Sequence, residues 1–134
     1  MNTQQQGSIG ELKVAADLME KGYFVFTEIS NNSRIDIIAM KDNKLTRIQV
    51  KAYNEKNGFV EVRSGKRGLK DYKYEYEKDD FDLVALYVPN RDVICYIKWS
   101  AISEGYGATI RFEAPKKVNP KLTYRMFEDY LEIE

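Results

Sequence analysis

The chain has 134 residues, with 21 basic and 21 acidic side chains, a formal charge of zero and no histidine. That length suits one domain over residues 1–134, and a hydrophobic content of 43% is enough to pack a core. With no histidine and a lone cysteine, Cys95, the usual zinc sites and the Ser-His-Asp and Cys-His catalytic arrangements are excluded. Hydrolytic chemistry here has to run on carboxylates, lysine and a hard metal ion. No run of residues approaches the roughly 18 apolar positions of a membrane helix, and Met1–Gln6 lacks the layout of a signal peptide. The expectation is a soluble cytoplasmic protein with no membrane partner.

The predicted elements begin with a helix over Ser8–Lys21. Leu12, Ala15, Ala16 and Met19 recur at helical spacing and give one apolar stripe. Ser8 with Glu11 three residues on forms a candidate capping box, and Gly22 is placed to stop the helix. Strands are expected at Tyr23–Thr27, Ile35–Met40, Thr46–Ala52 and Phe59–Arg63, with Asp42-Asn43 as a hairpin turn. Gly65–Asp80 is polar without clear periodicity and reads as a mobile functional loop. Leu83–Val88 and Val93–Ile97 flank a second hairpin at Pro89–Asp92. A helical turn at Trp99–Ser103, a strand at Ala108–Phe112 and a short helix at Met126–Leu131 complete the chain. Cys95, between Ile94 and Tyr96, reads as a small buried hydrophobe. This order implies an α+β (mixed α/β) domain, with the N-terminal helix packed on a central mixed sheet.

The neutral total conceals clusters. Lys66, Arg67, Lys70 and Lys73 lie within eight positions, and Lys116, Lys117, Lys121 and Arg125 form a second group. Acids gather instead at Glu75–Asp82 and Glu128–Glu134.

Two anomalies carry the chemical argument. Asp36 interrupts the apolar run Ile35, Ile37, Ile38, Ala39, where a carboxylate costs several kcal/mol unless paired or metal-bound. Gln49 and Lys51 are two apart in Ile48-Gln49-Val50-Lys51-Ala52 and share one strand face. If the two strands pair, an acid, an amide oxygen and an amine converge. Glu11 lies at the edge of the helix stripe and can face the sheet.

Ile35-Asp36, Gln49-Val50-Lys51 and the helical Gly10-Glu11 together resemble the PD-(D/E)XK nuclease superfamily. The likeness is carried by the first half of the chain. Ser33-Arg34-Ile35-Asp36 with Arg47-Ile48-Gln49-Val50-Lys51 is most similar to intron-encoded homing endonucleases that carry Gln before x-Lys. The resemblance implies a restriction-endonuclease-like core and a Mg2+-dependent DNA endonuclease, cutting both strands at a chosen site. It implies Asp36, Glu11, Gln49 and the Val50 carbonyl as metal ligands, and Lys51 as the residue that polarises the attacking water. Cleavage of both strands of double-stranded DNA implies a homodimer or homotetramer. Lys66, Arg67, Lys70 and Lys73, with Asn32 and Ser33, are the candidate DNA contacts.

Other readings of the same residues stay open. Archaeal Holliday-junction resolvases share the early layout but usually keep Glu at the position of Gln49. A non-catalytic DNA-binding domain with a degenerate site is a second alternative. A structural domain with a buried Asp36 paired to Lys51 or Arg34 is a third. Glu11 is open between a ligand role and a capping box with Ser8.

Overall fold

The computed structural model describes residues 2–63, 65–67, 73–75, 80–102, 107–117, 119–120 and 124–133, with the backbone alone for 65–67 and 73–75. Among the described residues a long helix, α1 (Thr3–Glu20), leads into ten strands. These are β1 (Phe24–Phe26), β2 (Ile37–Lys41), β3 (Lys44–Ala52), β4 (Phe59–Val62), β5 (Gly65–Arg67), β6 (Lys73–Glu75), β7 (Leu83–Val88), β8 (Val93–Lys98), β9 (Ala108–Arg111) and β10 (Arg125–Met126). Two 3-10 turns, Trp99–Ala101 and Phe127–Tyr130, lie where helical turns were expected.

The helix starts earlier than its apolar pattern indicates. Asn2 is the N-cap: its side chain accepts the Gln5 amide at 2.8 Å, and the Gln5 side chain accepts the Asn2 amide at 3.2 Å. This capping box displaces the one expected at Ser8, so Ser8 and Glu11 are interior helical positions. The buried line also differs from the expected stripe. Gly10, Val14 and Leu18 are buried at intervals of four, whereas Leu12 and Met19 are exposed. Gly22, at φ 90°, ends the helix as expected.

The described residues form a main sheet in the order β1-β2-β3-β7-β8. The β2–β3 hairpin turns on Asp42 and Asn43, with φ of 52° and 63°, the positive pair that matches the strand twist. β3 and β7 are parallel, in register Ile48↔Leu83 to Ala52↔Tyr87, and every other pairing in this sheet is antiparallel. The start of β7 is pinned to β3 by Asp82. Its carboxylate accepts the Arg47 amide at 2.8 Å and the Arg47 guanidinium at 3.1 Å, and its own amide donates to the Arg47 carbonyl at 2.8 Å.

Both faces of β7 are covered, which is why all six of its residues are buried. On one face Leu83 and Ala85 meet Val14 and Leu18 of α1, with Ile37, Ala39 and Ile48 beside them. On the other, Val84, Leu86 and Val88 pack with Val60, Val62, Ile110, Trp99 and Ile102 beneath a second sheet, β10-β9-β4. Each large aliphatic side chain so buried stabilises the fold by about 1.5–3 kcal/mol. The architecture is α+β, one helix packed on mixed sheets, as expected. Within the segment expected to be a loop, β5 and β6 pair antiparallel, so those residues are a hairpin.

Candidate active site

The site forms where β2 and β3 stop pairing. Their ladder ends at Ile37↔Ile48, while β3 runs on to Ala52 beside β7. The edge of β3 from Gln49 onward is therefore open to other groups. Asp36 fills the first position. Its amide donates to the Ile48 carbonyl at 2.9 Å, one residue away from the Gln49 that the strand register places opposite it. Its Oδ2 accepts the Val50 amide at 2.7 Å. A carboxylate thus takes a hydrogen bond that a strand carbonyl otherwise accepts. Sequence explains the placement: Ile35 and Ile37 pack into the two cores on either side, and their anchoring leaves Asp36 between them.

α1 closes on the same edge. Gly10 lies against β3 and β7, near Ala52, Val50 and Tyr87. Gln6 Nε2 donates to the Ala52 carbonyl at 3.2 Å, another capped position of the open edge. Glu11, the next residue after the close approach, reaches Asp36. Burial pushes the Glu11 carboxyl up, and the adjacent negative charge of Asp36 and a hydrogen bond to it push it further. Burial also raises Asp36, opposed by the Val50 amide, the hydrogen bond from Glu11 and the Lys51 ammonium. The two carboxyls are joined by a hydrogen bond, and each is raised above its ordinary range. Gln49 is only 8% exposed, and its Oε1 has no hydrogen-bond partner among the described residues. An orphaned buried amide oxygen is costly, about 1–3 kcal/mol.

Asp36, Glu11, Val50 and Lys51 are therefore neighbours, and Gln49 lies between the Ile48 and Val50 backbone groups that Asp36 engages. The Asp36–Arg34 pair considered from sequence does not form: Arg34 is ion-paired with Asp80. Of the other candidates, Asn32 and Ser33 lie in the loop before Asp36. Ser33 donates its amide and hydroxyl to Glu28 at 2.9 and 2.6 Å, and Ser30 donates to the same carboxylate, which these bonds hold down to about 2. Ser33 is thereby tied into a turn, and Asn32 beside it is exposed. Lys66 and Arg67 lie on β5 and Lys73 on β6, with their side chains outside the described residues, as is Lys70 altogether. Gln6 is the contributor that sequence reasoning missed. It sits in a polar run with nothing to single it out, whereas Gly10 stood beside Glu11 in the motif but has no side chain to suggest its contact with β3.

Two hydrogen-bonded carboxyl groups and, on the adjacent strand, a buried amide oxygen with no partner among the described residues suit a hard divalent cation, which takes oxygen ligands. No cluster of three or more His, Cys, Asp or Glu side chains occurs among the described residues, so Gln49 is needed to complete a side-chain donor set of three. No helix is long and apolar enough to cross a membrane among the described residues.

Comparisons with known proteins bear on the family and the fold. Over residues 1–133 the chain matches the family model described as PD-(D/E)XK endonuclease. It is 30% identical over 94 residues to Protein 5.3 of Escherichia phage T7, covering 67% of this chain and 75% of that protein. Its fold is similar to the structure of a bacterial homing endonuclease, I-Ssp6803I, with a TM-score of 0.74 and 18% identity, covering 97% of this chain and 88% of that one. From the order of helix, acid strand and lysine strand, and from the match along nearly its whole length, the chain belongs to the PD-(D/E)XK endonuclease family.

Proposed function

We propose that this nuclease is a magnesium-dependent DNA endonuclease that hydrolyses phosphodiester bonds at a chosen site and cuts both strands. The observation that supports the reading is a buried Gln49 Oε1 with no hydrogen-bond partner among the described residues, on the strand whose Val50 amide holds Asp36, itself hydrogen-bonded to Glu11. A bound cation would satisfy that oxygen.

In this reading Asp36, Glu11 and Gln49 hold the ion by their side-chain oxygens. The Val50 carbonyl joins them, because a strand residue's carbonyl points to the same edge as its amide, and that amide faces Asp36. When bound, such an ion supplies positive charge to a phosphodiester and acidifies water. The chain's own groups do the rest. The Val50 amide fixes the orientation of Asp36. Lys51 holds the attacking water and compensates negative charge as it develops on the phosphate. Gln6 and Gly10 keep α1, and so Glu11, seated on the open edge of β3. Lys66, Arg67, Lys70 and Lys73 on and beside the β5–β6 hairpin, with Asn32 and Ser33, are the proposed DNA contacts.

One copy of this domain carries one such site, so cutting both strands calls for a homodimer or homotetramer. The test is cleavage of linear duplex and of a four-way junction, with and without magnesium, beside Asp36→Ala. Magnesium-dependent cutting that is lost in the variant is the expected result. A preference for the junction would replace the homing-type substrate with a branched one. Metal-independent binding with no cleavage of any substrate would overturn the reading in favour of a DNA-binding domain.

A further inference from the structure

The second sheet packs on β7 and β8, and the same face of β1 and of the outer part of β2 and β3 carries exposed apolar side chains, although Gln49 further along that face of β3 is buried. The register shows what is left there. Phe24, Met40 and Leu45 lie side by side in one row, and Phe26, Ile38 and Arg47 in the next. Phe24 is 66% exposed and Phe26 51%, and Leu45 is exposed as well. β1 is the outermost strand of its sheet, and packs against α1 and β2. The opposite outer strand, β8, is packed by the Phe127–Tyr130 turn.

An outer strand with an unpaired edge invites another strand, and proteins usually blunt it with charge, proline or a bulge. Tyr23–Thr27 holds no charge and no proline. Apart from Arg47, which is ion-paired with Asp82, the rows carry aromatic and aliphatic groups, which fit a protein surface. The triplet Phe24-Val25-Phe26 also reads the same in both directions. In an antiparallel pairing of two copies about a two-fold axis at Val25, Phe24 of each copy falls opposite Phe26 of the other. That makes cross-strand aromatic pairs and joins the two apolar rows into one strip. An isologous contact sets one surface against itself, and this register lets the exposed rings of the two copies meet.

We infer that β1 is the dimerisation strand, pairing antiparallel with β1 of a second copy to make one continuous sheet across the two-fold axis. The choice of a second copy rests partly on the proposed double-strand cleavage, which needs two active sites. The surface itself is tested without DNA or metal.

Sedimentation velocity of the full chain over a concentration series reads the association directly. The wild type is expected to dimerise. Phe24→Glu with Phe26→Glu puts like charges opposite each other and is expected to raise the dissociation constant about tenfold or more, with circular dichroism unchanged. Phe24→Lys with Phe26→Glu places opposite charges in the same register and is expected to restore dimerisation. A wild type that stays monomeric at its solubility limit overturns the inference, and so does a dimer indifferent to the double glutamate. Equal loss in both double variants overturns the register. A dimer that cuts nothing would leave this surface standing and sink the nuclease reading of the site. A monomer that nicks single strands would do the reverse.

Discussion

Gly10 sits so close to Ala52 that a Cβ built on it would lie 3.1 Å from the Ala52 Cβ, with Val50 Cγ1 at 3.6 Å and Tyr87 Cδ2 at 3.7 Å. The helix is seated on β3 by the lack of a side chain, and Glu11 inherits its position from that contact. Gly10→Ala sets two effects against each other. Alanine favours a helix interior by about 1 kcal/mol over glycine. The added methyl pushes α1 off β3 by a few tenths of an ångström. Stability is expected to change by less than about 1 kcal/mol, while cleavage falls by roughly tenfold or more because Glu11 no longer meets Asp36 squarely. Adding Ala52→Gly removes the opposing methyl, and cleavage kinetics of the double variant should recover. Equal activity in wild type and Gly10→Ala would show that the approach of the helix is not limiting.

The Glu11–Asp36 pair makes metal-free stability depend on pH, with a definite sign. Both carboxyls titrate above their ordinary values of about 4 in the folded protein. Below that ordinary range they are protonated in both the folded and the unfolded chain, and the pair costs nothing. As pH rises through the raised values, the folded protein must give up protons that the unfolded chain has already lost, and stability falls. Glu28 and Asp82 are lowered instead and lose stability as pH falls, but they are common to both proteins in a comparison. Urea unfolding in chelator is therefore expected to show wild type losing stability relative to Asp36→Asn as pH rises above the ordinary carboxylate range. A difference that stays constant as pH rises would mean that the folded protein does not hold the two carboxyls above that range.

Divalent cation should reverse that loss. At tenfold over the dissociation constant, a ligand bound only by the folded state adds about 1.4 kcal/mol. Thermal unfolding with magnesium or manganese should rise by a few degrees in wild type and stay fixed in Asp36→Asn. Gln49→Glu supplies the missing charge and should tighten binding, measured by titration calorimetry. Unchanged affinity in that variant would remove Gln49 from the proposed ligand set.

Lys51 is expected to act on the reaction and not on ion binding. Lys51→Ala should lower cleavage about 100- to 1,000-fold while the metal-induced rise in unfolding temperature persists. Loss of both together would reassign Lys51 to holding the site in shape.

Much of the site was legible because it violates a pattern. A carboxylate amid Ile35, Ile37 and Ile38, and a polar pair two apart on the next strand, stand out in segments that otherwise read as core. The hairpins were legible from Asp42-Asn43 and Pro89–Asp92, whose turn chemistry is local. The helix was read less well. Its first turn is capped by Asn2 and Gln5 within a polar run, so hydrophobic periodicity begins too late to find it. Its buried line passes through Gly10, which no hydrophobic count registers, and the more apolar line through Leu12 and Met19 faces outward. The second sheet was out of reach for another reason. β4 pairs with β9 across some fifty residues, and β10 is only two residues long. Neither leaves a local signature.

The parallel pairing of β3 with β7 has a consequence for the order in which the protein is made. Glu11, Asp36, Gln49 and Lys51 have all been added to the chain by residue 51, yet the central strand that displays two of them gains its second neighbour only with Leu83–Val88. A ribosome-bound or prematurely terminated chain that has reached about residue 60 therefore contains every proposed ligand and lacks the strand that holds β3 in place, so the chemistry arrives in the chain well before the scaffold that arms it.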